Sequence, residues 1–361
     1  MFDPQKPYND LPLLPPTTEL ESRSILKNAI KANRVLASLN AKASSIPNQS
    51  MLVNTATLKE AKDSSEIENI VTTSDSLFEG FVLDAGSADP ATKEVLSYRN
   101  ALWEGFHAVQ KGKFSQEVFV KVVQKIKKGA VGIRDGSGTR IANPVTQEVV
   151  YTPPEGEIQI KTLLENLVLY MNDDKDDIDP LVKLAVIHYQ FEAIHPFKDG
   201  NGRTGRIIII LYLVAQNLLD LPILYLSHYL VEHKNAYYKK LRAVTENQQW
   251  EQWILFMLEG ITVTAQHTIA KIDAIQELMQ ETVLLARKKL PDRVYSKELI
   301  ELLFEQPYTK GSFLVERGIA KRQTAAEYLK ALEKVGILKS KKVGRENLYQ
   351  NSWLLALLKK H

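Results

Sequence analysis

The sequence predicts a mainly α-helical protein of two or three domains. Three observations carry this. Apolar residues recur at helical spacing through most of the 361 residues. One stretch, RDGSGTRIANPVTQEVVYTPP (134–154), breaks the helical pattern with Gly, Pro, Asn, Thr and short β-branched runs, which predicts a β-hairpin or ordered loop. The last seventy residues read as helix, helix, helix and then two short strands around Gly344.

Taken in order, residues 1–18 are proline-rich and extended. Helical spacing runs from Glu19 to about Leu39 and stops near Pro47; it returns over 57–68, 74–83, 90–110 and 115–127. After the interruption it resumes over 159–171 and 180–193. The acidic run NDDKDDIDP joins these two segments. It lacks the central Gly of a calcium loop, and its twelfth position is Leu184 rather than Glu, so it reads as a solvated linker ending in a helix start at Asp179-Pro180. Further helices follow over 207–216, 227–245 and 250–290. The last has no proline before Pro291 and can bridge to a separate domain. From Arg293, SKELIELLFEQ, with Ser296 as cap, and YTKGSFLVERG give two helices. AKRQTAAEYLKALEKVGIL gives the third and ILKSKKVGRENLYQ the two strands, a pattern resembling a winged helix-turn-helix.

The chain is 44% hydrophobic and 25% charged with a net charge of +3, too mildly basic to imply nucleic acid by itself. It has no cysteine, which excludes disulfides, thiolate metal sites and a cysteine nucleophile. MFDPQKPYNDLPLLPP is no signal peptide. The longest apolar run, Ile207 to Ala215, is too short to cross a bilayer and reads as a buried helix. The expectation is a cytoplasmic protein without a membrane partner.

The segment HPFKDGNGRTGR (195–206) carries the chemistry. It contains Gly200-x-Gly202-x-x-Gly205, but the apolar strand that a dinucleotide site needs before the first glycine is replaced by HPFKD. As a loop entering a helix it makes more sense. Gly200, Asn201 and Gly202 tolerate positive φ and can turn their N–H groups inward as an anion nest, to which the helix N-terminus adds its dipole. Arg203 and Arg206 share one side of the first turn. Two cations are unfavourable there unless a polyphosphate neutralises them. Asp199, a lone carboxylate beside phosphates, suits Mg²⁺. His195, fixed by Pro196 and Phe197, is a base that titrates near neutrality. The composition describes a nucleoside triphosphate with its metal and a poised proton acceptor. No P-loop sequence is present. His188, seven residues earlier, reads as a core histidine.

HPFKDGNGRTGR resembles the Fic-domain motif HxFx(D/E)GNGRxxR at every defining position. VKLAVIHYQFEAIHPF, the region near YTPP, and NAYYKKL followed by WEQWI are also similar, so the resemblance spans about 110–262. It implies a Fic-type helical core with a β-hairpin flap. It divides the chain into a helical N-terminal region (1–110), the Fic core (111–262), a linker helix (263–290) and a C-terminal winged helix-turn-helix domain (291–361). It also implies a protein adenylyltransferase that moves AMP from ATP to a Ser, Thr or Tyr hydroxyl of a target protein, possibly itself, and releases pyrophosphate. His195 would be the base, Asp199 the Mg²⁺ ligand, and Gly200, Asn201, Gly202, Arg203, Thr204, Gly205 and Arg206 the phosphate cradle. The hairpin at 138–152 would align a target segment by strand addition. His233 and Tyr237, four apart on one helix, would border the adenine. A homodimer is a further implication.

Upstream, Ser64-Ser65-Glu66-Ile67-Glu68-Asn69 resembles the inhibitory helix motif (S/T)xxxE(G/N) of these enzymes, with Ser64, Glu68 and Asn69 in the defining places. An arginine shaped for a γ-phosphate accepts a carboxylate equally well, so Glu68 is expected to pair with Arg206 and hold the enzyme off. Alternatives stay open: removal of AMP, another cargo such as a different nucleotide or phosphocholine, or a DNA-binding regulator that uses the core as a nucleotide sensor. For the last, Lys321, Arg322, Lys341, Lys342 and Arg345 would meet DNA; the same winged helix could equally dock protein.

Overall fold

The computed structural model describes residues 2–46, 49–83, 86, 88–142, 146–344 and 346–359. Helices dominate. The N-terminal half supplies α1 (Arg23–Ser44), α2 (Ser50–Ile67), α3 (Ser74–Val82), α4 (Pro90–Val109) and α5 (Gln116–Lys127). A small hairpin, β1 (Ile141–Ala142) and β2 (Val149–Tyr151), precedes α6 (Glu157–Met171), α7 (Pro180–Ile194) and α8 (Asn201–Ala215). Then come α9 (Ser227–Glu232), α10 (Lys234–Asn247) and α11 (Trp250–Lys289). The C-terminal part holds α12 (Lys297–Leu302), β3 (Tyr308–Thr309), α13 (Gly311–Glu316), α14 (Arg322–Lys334), β4 (Lys339–Val343), β5 (Glu346–Gln350) and α15 (Ser352–Lys359). No described helix is long and apolar enough to cross a membrane.

The centre is α7 and α8. Both are apolar on nearly every side, which suits a helix surrounded by others. Asp179 caps α7 by accepting from the Leu181 N–H, and Pro180 opens the first turn. The acidic run before it folds back, with Asp176 on the nearly buried Lys183 at 2.7 Å. The Ile207–Val214 run is buried throughout, against α7 on one side and α4 on another. α11 lies across α7, and α1 runs along it. The indole N–H of Trp253 on α11 donates to the Ala185 carbonyl at 2.8 Å. The expected boundary at 262/263 falls inside α11, a single helix of 40 residues.

Four details differ from the periodicity. Residues 227–245 form two helices, α9 and α10, because the chain breaks at His233. α8 begins at Asn201, before its apolar run, since Gly200 takes the cap position with φ 86°. The hairpin is short: Ile141 pairs with Tyr151 and Ala142 with Val149, with an irregularity between them. Asn143, Pro144 and Val145 at its tip lie outside the described residues, as does Pro47, the expected helix breaker. The C-terminal sheet gains a strand: β3 pairs with β5, which pairs with β4, giving the antiparallel order β3-β5-β4. The order is helix, strand, helix, helix, strand, strand and a closing helix, α15, with the helices and the strand pair where the sequence reading expected them.

That C-terminal unit rests against α3. The Tyr308 hydroxyl donates to Asp75 at 2.8 Å, Lys310 donates to the Val82 carbonyl at 3.0 Å, and Lys359 and Lys341 pair with Asp75 and Glu79. Lys341, expected on a DNA-facing wing, thus meets a carboxylate of its own chain. Arg345 lies outside the described residues.

Candidate functional site

The site is the turn between α7 and α8. α7 ends because His195 adopts the left-handed conformation, φ 49°, and its N–H still closes on the Phe191 carbonyl at 3.0 Å. Phe197 is fully buried against Phe191 and anchors the loop. The buried Asn201 side chain staples it shut: it accepts from the Phe197 N–H at 2.8 Å and donates to the Phe197 carbonyl at 2.7 Å. Asn201 is therefore a loop clamp as well as part of the helix start. α8 aims its first-turn N–H groups, which have no intrahelical carbonyls, out of this turn. At Gly205 a Cβ would meet the Glu192 carboxylate at 2.3 Å and Phe191 at 3.2 Å, so a side chain here would displace the Glu192 carboxylate and crowd Phe191. Thr204 is fully buried on the same turn.

Arg134 was not singled out by the sequence reading. It is 1% exposed and ties the base of the hairpin to the loop. Its Nε donates to the His195 carbonyl at 2.7 Å, its Nη2 to the Ile194 and Pro154 carbonyls, and its own N–H to the Pro196 carbonyl at 2.9 Å. Tyr151 adds a bond from its hydroxyl to the Ala193 carbonyl at 2.8 Å. An arginine inside a Gly-rich segment is the one signal that could have marked this residue.

His195 is half-buried. Burial first, and the charge of Arg134 second, push its pKa down from 6.5 to about 4, so the imidazole is neutral at pH 7 and able to accept a proton. Its Nδ1 is buried, which leaves Nε2 as the reactive nitrogen. Asp199 is exposed and paired with Lys127 at the end of α5. Burial would raise its pKa, but Lys127 and Arg203 hold the carboxyl below its usual range. Among the described residues no cluster of three or more His, Cys, Asp or Glu could hold a metal ion. A single exposed carboxylate beside an anion nest fits Mg²⁺ that takes its other ligands from phosphate and water, once the ion displaces Lys127 from Asp199.

The two arginines are almost fully enclosed. Arg206 is 2% exposed; its Nε donates to the Ser64 hydroxyl at 2.7 Å, and its Nη2 to the Ser64 carbonyl and to Glu68, both at 2.9 Å. Glu68 lies over the nest itself: a Cβ on Gly202 would stand 2.5 Å from its Oε1. Burial would raise the Glu68 pKa, but Arg206 overcomes this and keeps the carboxyl ionised. Asn69 has a different task. It takes φ 61° and bonds its N–H to the Glu66 carbonyl, while Ile70 bonds to the Ser65 carbonyl. This is a Schellman ending, which explains why Asn or Gly follows the glutamate. Lys234, also not singled out from sequence, caps the same end by donating to the Ile67 carbonyl at 2.6 Å.

His188 is a core residue as expected, fully buried with Nε2 2.9 Å from the Tyr237 hydroxyl. That contact corrects the reading of Tyr237 as an adenine border. Tyr237 is 1% exposed and packed on Trp253. Spacing put it on one face with His233, but His233 stands at the break before α10 while Tyr237 turns into the core. His233 is exposed and stacked on Tyr229. Tyr237 and its neighbour Tyr238 both lie within electrostatic reach of Glu68 and Arg206, and of the two only Tyr238, 46% exposed, is open to solvent. Glu192 also lies in the site; burial pushes its pKa up to about 7 despite Arg206.

Comparison with known proteins agrees with this architecture. The Fic/DOC family model matches residues 112–213 and the Fic/DOC N-terminal model residues 26–107. A model described as protein adenylyltransferase SoFic-like, C-terminal domain, matches residues 278–354. The chain is 35% identical over 89 residues to a probable protein adenylyltransferase of Aquifex aeolicus, covering 25% of this chain and 27% of that protein. It is 37% identical over 65 residues to the protein adenylyltransferase fic-1 of Caenorhabditis elegans, covering 18% and 13%. The aligned segments thus span only a small part of these relatives. In fold, a Fic family protein from Desulfovibrio desulfuricans G20 superposes with a TM-score of 0.60 over 93% of this chain and 98% of that one at 18% identity. A fragment of Fic-1 from C. elegans gives 0.53 over 70% and 74%, also at 18%. With the two Fic/DOC models matching residues 26–107 and 112–213, about half of the chain, a SoFic-like C-terminal model matching 278–354, and the same fold across nearly the whole length, the chain belongs to the Fic/DOC family.

Proposed function

We propose that this protein is an adenylyltransferase that moves AMP from ATP to a hydroxyl of a target protein, and that Glu68 holds it off. One observation carries the reading: a neutral imidazole stands at the end of α7, beside a glycine-lined helix start flanked by two enclosed arginines. The names of the relatives support the same chemistry.

In the reaction, Nε2 of His195 takes the proton from a Ser, Thr or Tyr hydroxyl as its oxygen bonds to the α-phosphorus. The α–β phosphoanhydride bond breaks and pyrophosphate leaves with the electron pair; the imidazolium later returns its proton to solvent. Arg203, Arg206 and the N–H groups from Gly200 to Gly202 hold the outer phosphates and meet the charge that builds on the leaving group. Mg²⁺ held by Asp199 would neutralise phosphate charge there. The hairpin, tied to His195 through Arg134, presents the target strand. Glu68 competes with the outermost phosphate for Arg206 and covers Gly202, so it opposes the productive pose.

The test uses ATP labelled at the α- or γ-phosphorus with wild type, Glu68→Gly, and Glu68→Gly combined with His195→Ala. Label should reach protein only from the α position, rise in the single variant, and fall on the order of 10²-fold or more in the double variant. Label from the γ position would mean phosphoryl transfer and overturn the mechanism. Unchanged transfer in Glu68→Gly would remove the brake.

A further inference from the structure

The two arginines of the loop face carboxylates from different helices, and they spend different nitrogens on them. In Arg206 the side-on fork, Nε with Nη2, is used up: Nε by the Ser64 hydroxyl, Nη2 by the Ser64 carbonyl and Glu68. In Arg203 it is Nη1 that donates, to Glu94 of α4 at 2.6 Å. Its Nη2 stands 4.0 Å from Asp199, and its Nε is buried with no hydrogen-bond partner among the described residues. A guanidinium presents carboxylates and phosphates with two parallel donors along one edge. On Arg206 that edge is closed; on Arg203 it is open, and a buried donor without a partner is costly until a ligand fills it.

Lys127 completes the arrangement. From the end of α5 its ammonium pairs with Asp199 and lies 3.9 Å from the same Glu94 oxygen that holds Arg203. Glu94 is therefore the shared anchor of two cations that border the Asp199 carboxylate. It sits outside the loop, 109 residues from Arg203 in sequence.

We infer that Glu94 is a positioning residue for the outer phosphates of the nucleotide: it grips Arg203 by Nη1 so that the Nε–Nη2 edge faces the phosphates, and it keeps Lys127 beside them. Glu94 and Glu68 thus look alike in charge and act in opposite directions. Glu68 occupies the edge a phosphate needs, while Glu94 presents one. The inference rests on the nucleotide reading above, and AMP serves as its control because AMP lacks the outer phosphates.

The experiment is equilibrium binding of ATP and of AMP, by calorimetry, to full-length Glu68→Gly, to Glu68→Gly with Glu94→Ala, and to Glu68→Gly with Glu94→Gln. Glu94→Ala should weaken ATP about tenfold, the scale of one charge-assisted hydrogen bond, with AMP unchanged. Glu94→Gln keeps an oxygen acceptor for Nη1 and should restore part of the loss. Equal losses for ATP and AMP would mean that Glu94 only supports the fold, and would overturn the inference. ATP binding that is unchanged or tighter in Glu94→Ala would make Glu94 a bystander or a second competitor, with the same consequence. If Glu68→Gly binds no ATP at all, the nucleotide reading itself fails, which is a different result from any of these.

Discussion

Two successive helices of the N-terminal region, α2 and α3, each place acids against a basic partner, and the contacts differ in depth. At the end of α2, Glu68 reaches Arg206, which is 2% exposed and shares its donors with Ser64. On α3, Asp75 and Glu79 reach Lys359 and Lys341, whose side chains are 43% and 47% exposed. Coulomb attraction between the charges is similar in kind. What differs is water on the side of the cation, since the Glu68 and Asp75 side chains are equally exposed at 37%. Around Arg206 there is little solvent to replace a lost carboxylate, so the contact is worth keeping until a better anion arrives. At α3 water and salt stand ready to solvate both partners. The first geometry suits a switch that a polyphosphate can throw. The second suits an adjustable docking of the C-terminal unit.

The sharpest way to break this contrast is to delete one partner on each side. Glu68→Gln keeps the size of the side chain and removes its charge. Without nucleotide it should lower unfolding stability by up to about 1.5–3 kcal/mol, the range for hydrogen bonds to charged groups. Lys341→Ala should cost under about 1 kcal/mol. Denaturant midpoints measured side by side decide the matter, and equal costs would mean that depth is not what separates the two contacts. Adding ATP should stabilise Glu68→Gln more than it stabilises wild type, because the freed arginine has a vacancy to fill.

A second test uses pH. Glu68 and Asp75 both have carboxyls held below their usual range against the cost of burial, by Arg206 in one case and by Lys359 and Tyr308 in the other. Each contributes stability that is present above the unfolded carboxylate pKa and lost as pH falls through the lowered folded value. His195 shifts stability in the same direction with pH, although here it is the neutral form that folding favours. Its folded pKa, about 4, lies below the unfolded 6.5, so the unfolded state binds the extra proton between these values and the folded state gains stability as pH rises through that window. For transfer by Glu68→Gly, the neutral base persists well into acid: the rate should stay flat from about pH 8 to 5.5 and fall toward 4. Arg134→Gln removes the second cause of the lowered value and should move that acid limb upward. A limb already near 6.5 in the parent would show that His195 is solvated, and that the enclosed side of the comparison is less enclosed than its geometry says.

Which residues were legible in the sequence follows from how far apart their partners lie. His195, Asp199, Gly202, Arg203 and Arg206 fall within twelve residues, so their joint chemistry could be read from spacing. The Glu68–Arg206 contact could be anticipated because the acid sits in a recognisable short pattern. Glu94, Lys127, Arg134 and Lys234 could not. Glu94, Lys127 and Lys234 reach Arg203, Asp199 and Ile67 across 72 residues or more through the packing of separate elements, and Arg134 reaches the His195 carbonyl across 61, with only its Gly-rich surroundings to mark it. Tyr237 was misplaced for a related reason: helical period groups residues on a face but does not say which face meets the core. In the hairpin, β-branched runs suggested strands over 134–154, whereas among the described residues only 141–142 and 149–151 pair. The rest of its backbone is held partly by side chains, as where Gly138 donates its N–H to Glu155.

The smallest expected effects lie on the α3 side, and they bear on whether the two contacts are independent. Tyr308 is fully buried, accepts from Gln350 at 3.1 Å and donates to Asp75, so Tyr308→Phe should cost about 1 kcal/mol. Lys341→Ala should cost less, and the loss should vanish in roughly 0.5 M salt as screening removes the pair. Neither should alter labelled AMP transfer if α3 only carries the C-terminal unit. Yet α3 begins at Ser74, and the residues between it and Glu68 form one short connection. Loosening α3 could therefore tug on the end of α2. If Lys341→Ala or Tyr308→Phe raised transfer toward that of Glu68→Gly, the shallow contact would be setting the deep one. The C-terminal domain would then be a handle on the brake rather than a unit resting beside it.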